Sequence, residues 1–146
     1  MAYAHGLQAY KQTRVNTASQ GELLLLLYDA AIRHVARACE RLDADDQTAA
    51  NTHLLKAQDI VAEMMASLDL NVELATSLFQ LYEYCHHELV QANLSRRKEG
   101  LRPVLEILTE LRKAWQQVVK GEHSHRSGAF TQGTEARGRG GIEIAT

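Results

Sequence analysis

"GELLLLLYDAAI", residues 21–32, decides how the rest of this chain is read. It holds five consecutive leucines in a chain that is otherwise mixed in character. Successive helical residues turn by about 100°, so Leu23 to Leu27 point all the way around the axis. A surface helix buries one stripe and keeps its opposite face polar. The run therefore raises the question of what covers its other side.

Outward from the leucines, the same period repeats. Ser19 and Glu22 form an S-x-x-E capping box before the run. Leu24, Tyr28, Ala31, Val35, Ala38 and Leu42 recur at alternating spacings of four and three. "DADD" at 43–46 breaks the pattern and supplies N-caps. Ala50, Leu54, Ala57, Val61, Met64 and Leu68 form a second seam, closed by "DLN" at 69–71. Ala75, Leu78, Tyr82, Cys85, Leu89 and Ala92 form a third, closed by "SRRKEG" at 95–100. Leu101, Val104, Leu108, Leu111, Trp115 and Val118 form a fourth, with Pro103 in the first turn, where it is tolerated. Four helices joined by short polar links predict an all-α, antiparallel up-down-up-down four-helix bundle over residues 19–120.

The flanks read differently. Tyr3, Leu7 and Tyr10 make a short amphipathic stripe within residues 1–18, too short to stand alone. It is expected to dock as a short N-terminal helical lid segment. Residues 121–146 hold six of the nine glycines and few large apolar residues, and are expected to form a disordered tail.

The chain has 146 residues and a net charge of −2. That fits one domain and gives no electrostatic reason to expect nucleic acid. The longest apolar run falls well short of a membrane span of about 20 residues. The first residues lack the apolar core of a secretory signal, so a cytoplasmic location is the expectation. Cys39 and Cys85 sit inside helical patterns without metal-type spacing and read as free thiols.

No catalytic constellation emerges. Glu83 and His86 supply one E-x-x-H, whereas a di-iron bundle needs two such motifs and two further glutamates. Cys85 beside His86 and His87 is a seam cysteine with no acid partner. There is no phosphate-binding glycine loop, and "RRK" at 96–98 is a link. No enzyme, cofactor or metal is expected.

The seams leave Leu23, Leu25, Leu26, Leu27 and Ile32 unaccounted for, together with Leu55, Ile60, Met65, Leu74, Phe79, Leu81, Tyr84, Leu105, Ile107 and Val119. Some of these would widen the core stripe. The rest would form a second apolar surface that meets a partner. Because the seam passes through Leu24 and Tyr28, Leu24 is expected in the core. Leu23 and Leu26, turned by about 100° and 200° from it, are expected on the second surface.

Several of these stretches together resemble the flagellin-specific export chaperones, the FliS family. "AYKQTRVNTAS" (9–19) resembles its N-terminal tyrosine, linker and helix start, and "LLLLLYDAAI" its leucine-rich Leu-Tyr-Asp-Gly-Ala run. "ELATSLFQLYEYCHHELVQANL" (73–94) resembles its Leu-Tyr-Asp-Tyr and Leu-x-x-Ala-Asn pieces, and "LTELRKAW" its closing segment. Gln20 replaces a usual proline, Ala30 a usual glycine, and Asn71-Val72 a usual Gly-Gly.

The resemblance implies a cytoplasmic chaperone that binds the disordered C-terminal segment of flagellin in apolar grooves. It would block early polymerisation and keep the client ready for export. It also implies an N-terminal segment that covers the apolar surface in the free protein. Carried over residue by residue, the partner-binding set is Tyr10, Val15, Leu23, Leu27, Tyr28, Ala31, Ile32, Tyr82, Tyr84, Leu89 and Asn93, to which the run's geometry adds Leu26. Core packing is the competing reading for Tyr28, Tyr82, Leu89 and Trp115, and carbonyl capping for Asn93. The export gate, other flagellar proteins and a second copy of the chain are further candidate partners. A self-associating structural bundle and a metal-binding bundle are the rival functions.

Overall fold

The computed structural model describes residues 20–131, with side chains through Gly121. It is all-helical over that range: α1 Gln20–Asp43, α2 Gln47–Ala66, α3 Glu73–Ser95 and α4 Leu101–Thr131. Helix α1 packs on α2 and α4, and α3 packs on the same two, while the diagonal pairs α1/α3 and α2/α4 make no backbone contact. The short links make neighbours antiparallel, giving the up-down-up-down bundle that the spacing predicts.

The links explain the breaks. Asp46 caps α2, its side chain accepting from the Ala49 N–H at 3.2 Å. Asp45 just before it takes a left-handed φ of 58°, a conformation that aspartate tolerates better than most residues. Arg96 ends α3 at φ 62° and donates its backbone N–H to Ala92 O. Gly100 opens α4 against α3, where an added Cβ would come within 2.5 Å of the Glu88 Oε1. Lys98 holds Asp43 at 2.5 Å, tying the α3–α4 link to the end of α1.

The core follows the seams closely in α2 and α3. Ala50, Leu54, Ala57, Val61 and Met64 are buried, as are all six α3 seam residues, with Ile60 added. Two expectations change. In α1 the core stripe starts at Leu23 and Leu27, and Leu24 is only partly buried. The seam drifts because 3.6 residues per turn do not divide a strict seven-residue repeat. Over the first turn of α1, Leu23 is therefore the inward side chain. In α4, Val119 is buried while Val118 is only partly so, the same drift at the last turn of the core.

Helix α4 also runs on through Thr131 instead of ending at Lys120. Residues 121–131 contain no proline. A helix already nucleated by packing extends readily, and an interior glycine costs only about 1 kcal/mol. The expected lid, with Tyr3, Leu7, Tyr10 and Val15, lies outside the described residues, as do Ser19 of the capping box and residues 132–146.

Candidate functional site

The two ends of the bundle differ. One gathers the α1–α2 and α3–α4 links. At the other, where α1 begins and α2 and the core of α4 end, the described side chains do not close over the core. An open cavity of about 350 Å³ lies there, lined by Leu23, Leu24, Leu27, Met64, Leu68, Tyr82, Trp115 and Val118, with Gln20, Ser67 and Asp69 among its polar lining. Leu23 and Leu27 belong to the core stripe, and Leu24, one residue along, contributes to the lining. The leucine run is thus shared between the interior and the wall of a pocket.

The pocket takes Tyr82 from α3 and Trp115 and Val118 from α4, the two helices that pack on each other along the next side of the bundle. Arg112 on α4 reaches across to Asp29 of α1, where its Nε and NH2 groups meet both carboxylate oxygens, the second at 3.3 Å. Ile107, Leu111 and Val118 are rotated from Arg112 by about 100–140°, which places them on the α3 side. On α3, Leu74, Leu81 and Glu88 share one face at intervals of seven, and Glu88 sits against Gly100 at the start of α4. Leu74 and Leu81 therefore border the α3–α4 groove. Leu74 is 61% exposed, Leu81 37% and Tyr84 41%. Leu70 and Val72, in the link leading into α3, are also exposed. Together they form an apolar strip of the sort that marks an interaction surface.

Behind the pocket, Tyr28 of α1 and Tyr82 of α3 meet across the diagonal of the bundle, with hydroxyl oxygens 2.5 Å apart and ring centroids 6.4 Å apart. Burial pushes both phenols above their usual value. They stay protonated, each hydroxyl serving the other as partner. Burial likewise pushes the Cys85 thiol up to about 12, which keeps it from acting as a thiolate. Among the described residues no group of three or more His, Cys, Asp or Glu side chains could hold a metal ion.

The candidate residues separate by depth. Tyr28, Ala31 and Leu89 have no exposed surface, and Leu23 and Leu27 have almost none. Tyr28, Ala31 and Leu89 are core residues in this closed bundle, because the seam that defines them is the same one that holds α1 and α3 in place. Leu23 and Leu27 reach the pocket from the core, as does Tyr82 at 1% exposure. Leu26 and Ile32 are partly buried, Ile32 against the core. Tyr84 is open to solvent. Asn93 donates to the Asn51 side chain at 2.7 Å, joining the end of α3 to the start of α2. Leu70 and Val72 escaped the sequence reading because they fall in a link, outside any helical period.

Comparison with known proteins identifies the family. A family model described as Flagellar protein FliS matches residues 3–122. The chain is similar to the Flagellar secretion chaperone FliS of Bacillus subtilis strain 168, at 36% identity over 88% of this chain and 97% of the relative. The Salmonella typhimurium protein of the same name is 34% identical over 81% and 93% of the two chains. That of Escherichia coli K12 is 31% identical over 80% and 91%.

Proposed function

This chain belongs to the FliS family of flagellar secretion chaperones, a family of chaperones and not of enzymes, and from that premise we propose that its client is the C-terminal segment of flagellin. The segment lies in the α3–α4 groove, with apolar side chains seated in the open pocket. It is held in the cytoplasm in a form that can neither polymerise nor fold before export. The observation that carries this reading is the exposed strip of Leu74, Leu81 and Tyr84 on α3, on a bundle that also carries an open leucine-lined cavity at one end. A disordered client loses conformational entropy on binding, so it needs apolar contact spread along a surface rather than one deep site. A helix or extended stretch laid in a groove supplies that contact. No helix of the described residues is long and apolar enough to cross a membrane.

Trp115 is the chain's single tryptophan and lines the pocket. Titration with a tryptophan-free flagellin C-terminal segment should shift its emission to the blue and saturate at one segment per chain. An unchanged spectrum with no heat of binding would overturn the assignment. A mass measurement showing only self-association would instead favour the second copy as occupant.

A further inference from the structure

The opposite side of the bundle, the outer face of α1 and α2, has a different character. Arg33, Arg37 and Arg41 follow one another at intervals of four along α1. Lys56 on α2 and the pair His34–His53 lie within their electrostatic reach. Five other cations, Arg97, Lys98, Arg102, Arg112 and Lys113, each hold a carboxylate. Among the described residues, Arg33, Arg37, Arg41, Lys56, Arg96 and Lys120 hold none, and the first four of these gather on this one face. These four unpaired cations, interleaved with Glu40 and flanked along their helices by Asp29, which Arg112 holds, and by Asp59, make a cation-rich face in a chain of net charge −2.

The two histidines sit in the α1–α2 seam with Nδ1 atoms 3.0 Å apart, so one ring donates and the other accepts. His34 is held down at about 4, first by burial and then by His53, Arg33, Lys56 and Arg37. His53 is lowered by burial and by Lys56, Arg37 and Arg41, with Glu40 acting the other way. Among the described residues, the groups that act on this pair come from α1 and α2. Helix α4 packs on another side of α1, and α3 on another side of α2.

We propose that this face docks an acidic segment of a partner protein, a short stretch carrying several Asp or Glu side chains. The arginine stripe spans about 12 Å, two helical turns, which exceeds one phosphate and suits successive carboxylates. Asp43, Asp45 and Asp46 follow the stripe at the α1–α2 link. A continuous polyanion such as a nucleic-acid backbone would run into them, whereas a short acidic peptide ends before them. Docked carboxylates offset the cations that keep the histidines neutral, so binding takes up a proton at the His34–His53 pair. The face does not overlap the α3–α4 groove, so a chaperone with its groove filled still presents it.

The test is fluorescence anisotropy of a labelled deca-glutamate peptide with the full chain. The exposed pair Arg33→Gln with Arg37→Gln should weaken binding at least tenfold. Arg102→Gln with Lys113→Gln, the same change in net charge elsewhere, should leave it within twofold. Binding should tighten from pH 7.5 to 6.0 in the parent chain and stay flat with His34→Gln and His53→Gln. Equal losses for both charge pairs would reduce the effect to net charge and overturn the proposal. Tighter binding of a single-stranded DNA oligomer than of the peptide would overturn it as well, as would a pH response unchanged by the histidine substitutions.

Discussion

Tyr28 and Tyr82 join two helices that have no backbone contact, and each is the other's hydroxyl partner at full burial. Removing the Tyr28 hydroxyl strands that of Tyr82, which costs about 1–3 kcal/mol, whereas removing the Tyr82 hydroxyl leaves Tyr28 with the Trp115 side chain as a hydrogen-bond partner and costs less; removing both hydroxyls leaves an apolar pair. Tyr28→Phe and Tyr82→Phe should therefore each lower stability, and the double variant should lose less than their sum. A double-mutant cycle by urea denaturation reads this directly, and strict additivity would deny the coupling. The leucine run separates in the same way. Leu23, 3% exposed, should cost about 2–5 kcal/mol as alanine. Leu24, only partly buried, should cost clearly less. The sequence could not assign these two, because neighbouring leucines are chemically identical and a drift of one residue in the seam exchanges their roles.

At the scale of the helices, what was legible was the period. Every α3 seam residue named from spacing is buried, and Asp46 caps α2 where the "DADD" break predicted a cap. The boundary of α4 was not legible. Glycine content suggested an end at Lys120, yet backbone continuity carries the helix to Thr131. Its last buried side chain among those described is Val119, so truncation after Gly121 should leave the melting temperature and client affinity nearly unchanged. A large loss in either would mean that the remainder packs on the bundle. Spacing alone also did not reveal that His34 and His53, on different helices, would share one hydrogen bond. Because the folded chain holds His34 at about 4 against 6.5, its contribution to stability is complete above about pH 6.5 and is lost as the pH falls toward 4. Denaturation midpoints should decline across that window, and less steeply with His34→Gln and His53→Gln. Parallel declines in the two proteins would show that other groups drive the acid loss.

Across the whole molecule, the bundle is organised around two faces of opposite chemistry. An apolar strip lies along α3, a leucine-lined pocket opens at one end of the bundle, and the cationic face lies on α1–α2. The leucine run connects the core to the pocket, which answers how five consecutive leucines fit a helix of this kind: part of the run builds the interior and part lines the open cavity. The family resemblance pointed to the client, but only the packing separates residues that hold the fold from residues that remain open to a partner. The most direct test takes the exposed pair Leu74→Asp and Tyr84→Asp, whose side chains lie outside the core cluster, and records a thermal melt beside a binding isotherm for the flagellin C-terminal segment. The α3–α4 groove as client site predicts a melt close to that of the parent chain and an affinity reduced at least tenfold. A folded variant that binds flagellin as tightly as the parent would contradict it.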